Sequence, residues 1–362
     1  MNRKNLINAG LVILVFILTM YYVFAGEDLS LLLDSMIRCR WGWLIPACCF
    51  VVFFIWGESF IIWYLLKEYG YIKRKRACFL LSAVGFFFSA ITPSAGGGQP
   101  MQVYFMNKMK IPISISSIIL MVVTITYKLV LVIVQIGILL FGSRLTQQYL
   151  GSVIYIVYLG LFLNIIGIGG LLLFVFCPGT VRFLGRGMIR LMNWFFQSKA
   201  GRWMTAKTGK RYQKLPQRVS EKIEAGLDKY HEASWYLKSR LHVLINVQAF
   251  TFVQRFALFS VTVFVYLALA LKGTGWLDII FLQSTISLSV DMLPMPGGMG
   301  ISEYLFEQIF SPIFGAQLLP GLVLSRGISY YVQLAVSGIG TMVAYVYFKC
   351  KKEHVVVPVK NS

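Results

Sequence analysis

Six ionisable side chains stand where a chain of this composition should hold none. Glu58, Lys128, Arg255 and Arg326 fall inside long apolar windows, and Asp291 and Glu303 flank the turn in "LPMPGGMGISEYLF" (293–306). A charge in lipid costs at least ~2.5–3.5 kcal/mol on insertion scales, so each should face a partner or a pathway. Two chemistries fit. The charges pair among themselves as structural ion pairs, Glu58 with Arg255 for example. Alternatively Lys128, Arg255 and Arg326, with the partial positive charge of helix ends, hold an anionic group, and a lipid phosphate is the anion available at that depth. Tyr330 and Tyr331 lie about one helical turn from Arg326 and could share its wall, although packing or anchoring at the interface is the commoner role of membrane aromatics.

Other chemistry finds little support. His231, His242 and His354 lie on or near basic connectors without ligand-like spacing, so no metal site is assigned. The six cysteines (Cys39, Cys48, Cys49, Cys78, Cys177 and Cys350) form no CxxC pair and read as inert core thiols. No GxxxxGK[ST] occurs, which leaves nothing for direct ATP use. No catalytic residue and no cofactor is expected.

The elements that carry these residues follow from composition. Of the 362 residues 57% are hydrophobic and 13% charged, against about a quarter charged in soluble domains, which makes this an integral membrane protein. The net charge of +20 comes from Lys and Arg gathered in short connectors, the pattern that sets orientation across a membrane, and no nucleic-acid recognition motif accompanies it.

Apolar windows of spanning length fall at about 7–24, 42–66, 111–141, 151–177, 242–271 and 317–347, with shorter stretches at 77–92 and 277–293 that each run into a Pro/Gly cluster. The first window also resembles a cleaved signal peptide, with Ala25 as the small residue, but its length favours a retained anchor. Arg3 and Lys4, then Lys67 and 73–76, place the amino terminus and the second connector in the cytoplasm. If 77–92 dips in and returns, Lys108 and Lys110 stay with the other cations. The same reasoning puts 178–241 inside as a basic connector, with an amphipathic helix in its second half lying on the membrane surface, and leaves "KCKK" inside at the carboxyl end. The expectation is an all-α membrane protein with both termini cytoplasmic and one transmembrane domain over 1–362. It has about six full spans plus two re-entrant hairpins, or eight spans if the hairpins cross.

The two Pro/Gly clusters align without gaps. Setting "TPSAGGGQPMQVYF" (92–105) over 293–306 puts Pro93 on Pro294, Gly96 and Gly97 on Gly297 and Gly298, Gln102 on Glu303, and Phe105 on Phe306, with Gly98 extending the first glycine run. The charge pattern gives the copies opposite orientations, the mark of inverted repeats whose broken helices build a site near the bilayer midplane. Irregular backbone at that depth is tolerated only inside protein or along a water-filled cavity. Kinks for close packing, or loops between full spans, would account for a single copy equally well.

At "TPSAGGGQP" and "LPMPGGMGISEYLF" the chain resembles the transmembrane region of lysylphosphatidylglycerol synthases, the multiple peptide resistance factor family, and the wider flippase-like membrane proteins that share it. The resemblance implies a cell-membrane protein that moves aminoacylated phosphatidylglycerol between leaflets and so bears on antibiotic resistance. In that family a separate soluble domain transfers the aminoacyl group from tRNA. After the last window only "KCKKEHVVVPVKNS" follows, and 178–241 is too short and too basic to be that domain. The family often has an acidic residue near Gln99 or Gln102, so glutamine here implies altered ion or substrate coupling. Three functions stand: a translocase for an anionic or aminoacylated phospholipid; a phosphatidylglycerol lysyltransferase, alone or with a soluble partner; and a transporter of an isoprenoid-linked or glycolipid precursor. The expected partners are membrane phospholipids, with a soluble transferase or a second copy of the chain as further options.

Overall fold

A computed structural model describes residues 37–71, 74–92, 95–177, 179–183, 186–187, 190, 194, 215–293, 298 and 300–350. Window 7–24 lies outside them, as do Pro93, Pro294 and Gly297 of the paired turns. Every regular element among the described residues is helical.

Twelve helices set the frame: α1 Leu44–Glu68, α2 Lys75–Ala90, α3 Gly98–Lys108, α4 Ile113–Phe141, α5 Ile154–Phe176, α6 Leu215–Lys238, α7 Leu241–Phe259, α8 Val261–Ala268, α9 Trp276–Val290, α10 Ile301–Phe314, α11 Leu318–Arg326 and α12 Gln333–Cys350. Five stretches, Trp41–Glu68, Ile113–Phe141, Ile154–Phe176, Leu241–Ala268 and Ile301–Phe348, are long and apolar enough to cross a membrane. They fall on the five remaining sequence windows. At 1.5 Å per residue α4 alone is ~43 Å long, which exceeds a ~30 Å hydrocarbon layer. The outer faces agree with a lipid setting: Tyr155 is 83% exposed and Phe162 60%, on a helix whose hydrophobic side chains point to every side.

The last of these stretches, Ile301–Phe348, is broken. Gly315, at φ +51°, separates α10 from α11, and a π-helical stretch over Gly327–Val332 widens the turn just after Arg326. Pro312 sits within α10 near its end.

The buried side chains form two apolar clusters stacked along the bundle. One holds Ala47 and Val51 of α1, Val130 and Val134 of α4, and Phe259. The other holds Ile61 and Leu65 of α1, Ile118 and Ile125 of α4, and Val247 of α7. On each of these long helices a few residues between the clusters belong to neither. The short helices divide the same way, since α2 buries Ala77 and Leu81 in the second cluster while α9 buries Ile279 and Leu282 in the first. The two hairpins, α2–α3 and α9–α10, thus start from opposite ends of the bundle.

Their first arms obey the sequence repeat. Lys75 and Trp276, which open α2 and α9, differ by 201, the offset that sets Pro93 on Pro294. Their second arms do not. α3 begins at Gly98 but α10 begins at Ile301, two residues later than the offset requires. The backbone explains the slip: Gly298 and Gly300 take φ +68° and +86°, conformations open to glycine, whereas in the first turn the positive φ falls on Ala95. Gly98, expected in the turn, opens α3 instead. There it lets the two arms touch, because a Cβ on it would collide with the Ser89 side chain and the Gly85 carbonyl.

The predicted amphipathic helix is α6, and part of its second half packs on the bundle. Tyr230, Ala233 and Leu237 are buried against the bundle, Tyr230 donates to the Phe174 carbonyl at 3.0 Å, and Tyr69 donates to the Ala233 carbonyl at 2.8 Å. The thiols divide. Cys39 and Cys78 are buried as expected, while Cys49 and Cys177 are exposed.

Candidate functional site

Between the two apolar clusters lies a cavity of about 490 Å³. Glu58, Lys128 and Arg255 each face it from close to mid-helix: the centres of 41–68, 113–141 and 241–268 fall at about 54, 127 and 254. Both hairpin tips reach it, the first through Gly96 and Gln99, the second through Asp291 and Met292. Gln102 also lines it.

The charges are arranged unevenly. Lys128 forms an ion pair with Asp291, bonds to the Asn164 amide oxygen at 3.2 Å, and lies against the Met292 sulfur at 3.0 Å. Tyr127 donates to the other Asp291 oxygen at 2.9 Å. Asn164 is held rigidly, since its amide donates to the carbonyls of Gly160 at 2.9 Å and Leu288 at 3.1 Å. This cluster ties α4, α5 and the tip of the second hairpin together.

Glu58 and Arg255 do not form the ion pair weighed from the sequence. Glu58, 8% exposed, accepts a hydrogen bond from Gln102 at 3.0 Å. Arg255 is held by rings: its guanidinium carbon lies 4.9 Å from the centre of Phe54 and 4.3 Å from that of Tyr127, a cation–π sandwich. Its Nε is buried without a hydrogen-bond partner, and none of the ion pairs found among the described residues includes it. A cation fixed by aromatic faces keeps hydrogen-bond donors free for an anion.

Arg326 and Glu303 were expected on the same wall, but the cavity's lining includes neither. They form a separate unit. Arg326 Nε donates to Glu303 Oε1 at 2.8 Å, while Glu303 Oε2 accepts from the Gly300 N–H at 2.7 Å and the Ser302 hydroxyl at 2.8 Å. This carboxylate caps α10 and anchors it to α11 at once. Tyr330 donates to the Ala90 carbonyl at 3.0 Å, linking the π stretch to the first hairpin. Its ring also lies 5.1 Å from Arg326, so it supports the Arg326 unit rather than the cavity.

Sequence reasoning passed over Tyr127, Asn164 and Phe54. Asn164 carried a signal: it is the only amide side chain in the apolar run of α5. Tyr127 and Phe54 carried none, being aromatics among aromatics. Between the same helices α1 and α7, an apolar groove of about 910 Å³ is lined by Phe50, Phe53, Phe252 and Phe256. The α1–α7 seam is held where Gln254 donates to the Phe54 carbonyl at 2.9 Å. No group of three or more metal-ligating side chains occurs among the described residues.

Fold and cavity together define a multi-pass, all-α membrane protein with a charged chamber at mid-bundle. The chain belongs to the family described as the lysylphosphatidylglycerol synthase TM region, whose model matches residues 7–337. No curated protein shows significant similarity to it.

Proposed function

We propose that this protein moves the head group of an anionic or aminoacylated phospholipid between leaflets through the mid-bundle cavity. The two hairpins re-enter the cell membrane from opposite faces, and their tips close the chamber from either side. Arg255 receives the phosphate. The acyl chains stay outside, in the aromatic groove between α1 and α7, so the polar part alone passes through protein. The observation that carries this reading is Arg255: a cation at mid-bundle, sandwiched between two rings and in none of the ion pairs found among the described residues, lining a chamber reached by both hairpin tips. Membership of a lipid-handling membrane family supports it.

The test is translocation of fluorescent phosphatidylglycerol in proteoliposomes. Arg255→Ala should lower the rate at least tenfold, and Gly298→Leu, which forces a branched side chain onto a positive φ, should lower it as well. Unchanged rates in both variants would overturn the proposal.

A second reading, a phosphatidylglycerol lysyltransferase, is favoured by the family's description as part of a synthase. A new aminoacyl lipid in extracts of a host expressing this chain alone would support it over translocation. A carrier of an isoprenoid-linked or glycolipid precursor uses the same phosphate chemistry, and head-group competition separates it from the first reading.

A further inference from the structure

The cavity wall carries two cations and two carboxylates, but only one of each is spent on the other. Lys128 and Asp291 are in direct contact, and Tyr127 and Asn164 hold that pair in place. Glu58 and Arg255 face the same chamber without such a contact. Glu58 is satisfied by the neutral Gln102 amide, and Arg255 by the rings of Phe54 and Tyr127.

Around Glu58 the neighbouring helices contribute few charges. α7 offers Arg255, whose charge acts on it directly; α3 offers the uncharged Gln102; and α4 offers the Tyr127 phenol, with Lys128 beyond it neutralised by Asp291. From the first hairpin tip come Gly96 and Gln99, and from α12 Gln333, none of which titrates. Among the described residues Arg255 is therefore the cation beside Glu58 that no ion pair already neutralises.

With both pairs charged, the wall sums to zero. A phosphodiester on Arg255 adds one negative charge and takes the counter-charge away from Glu58. Two negative groups would then share one cation in a low-dielectric chamber, which favours protonation of the group with the weaker hold on its charge. Asp291 is fixed against Lys128, so that group is Glu58.

Resting on the head-group reading of this cavity, we propose that Glu58 binds one proton from water when a lipid phosphate occupies Arg255 and releases it when the phosphate leaves. The protein would thus carry a proton with each anionic head group. The proton joins a carboxylate oxygen, no other bond changes, and the charge of proton and phosphodiester together is zero. Gln102 can serve both states, because a protonated carboxyl keeps an acceptor oxygen.

The experiment is calorimetric binding of short-chain phosphatidylglycerol to the full chain in nanodiscs, repeated in buffers of different ionisation enthalpy. Uptake of up to about one proton per lipid is expected, with affinity weakening by up to about tenfold per pH unit once Glu58 ionises in the free protein. In Glu58→Gln the proton count should fall to near zero and affinity should become independent of pH. Binding by the unmodified protein without proton uptake overturns the coupling and leaves the head-group site standing. Undiminished uptake in Glu58→Gln also overturns it, because another group would be the acceptor. Absence of any binding overturns the coupling and the head-group reading together. The proton count of the unmodified protein needs no variant to fold, so the proposal remains open to refutation if Glu58→Gln is unstable.

Discussion

Gln102 of the first hairpin donates to Glu58 of α1 at 3.0 Å, and its counterpart in the repeat, Glu303, accepts from Arg326 of α11 at 2.8 Å. Equivalent positions on two hairpins thus each reach a charge on a neighbouring helix. The chemistry differs: a neutral amide adds no charge beside Glu58, whereas a carboxylate cancels that of Arg326. The first contact keeps the chamber polar and adaptable, and the second fixes a helix.

Gly85 makes the first contact possible. A Cβ there would run into the Gln102 amide, so Gly85→Ala should push Gln102 away from Glu58. Overpacking of this kind costs about 1–3 kcal/mol. Adding Gln102→Ala should restore thermal stability without restoring lipid translocation, and a scan of melting temperature beside the flux assay checks both.

Asp291→Asn leaves the Lys128 ammonium buried without its counter-charge. Breaking such a pair from one side costs about 3–5 kcal/mol, which should appear as a large fall in melting temperature. Replacing Lys128 with Met in the same protein should recover most of that loss. Recovery by less than half would mean that Asp291 serves mainly to hold the hairpin tip through Tyr127.

Because Glu303 both caps α10 and anchors Arg326, Glu303→Ala should destabilise more than Arg326→Ala. The excess corresponds to a lost cap, about 1 kcal/mol. Translocation should fall in proportion to stability in both, because neither side chain lines the cavity. A flux loss without a stability loss in Arg326→Ala would place that residue in the pathway after all.

The α6 contact should respond to alkali. Burial pushes the Tyr230 phenol up to about 12 and holds that of Tyr69 above its ordinary value of about 10. The folded protein keeps protons that the unfolded chain releases near pH 10. Their contribution is therefore complete below about pH 10 and is lost as pH rises through about 12. The double variant Tyr69→Phe, Tyr230→Phe should show a flatter decline of melting temperature with pH across that range.

Much of this was legible in the residue string. Spanning helices are written as long apolar runs, and five of the six windows coincide with helices of spanning length. The short apolar stretches at 77–92 and 277–293 fall on α2 and α9, whose starts are separated by the same offset as the Pro/Gly clusters. Lys128, Arg255, Glu58, Asp291 and Gln102 were marked by charge, polarity or repeat position, and one chamber gathers them. What could not be read was partnership. Lys128 and Asp291 are 163 residues apart, and no periodicity links them. Arg326 looked equivalent to Arg255 because composition cannot tell a cation held by rings from one held by a carboxylate. The sequence repeat likewise concealed the two-residue slip at Gly298 and Gly300, which depends on backbone angles.

The most direct measurement is photo-crosslinking with phosphatidylglycerol that carries its reactive group on the head, followed by mapping of the labelled peptides. Label is expected on α1 near Phe54 and Glu58 and on α4 near Tyr127, and it should be lost in Arg255→Ala. Label confined to outward-facing positions such as Tyr155 and Phe162, and unaffected by that substitution, would contradict it.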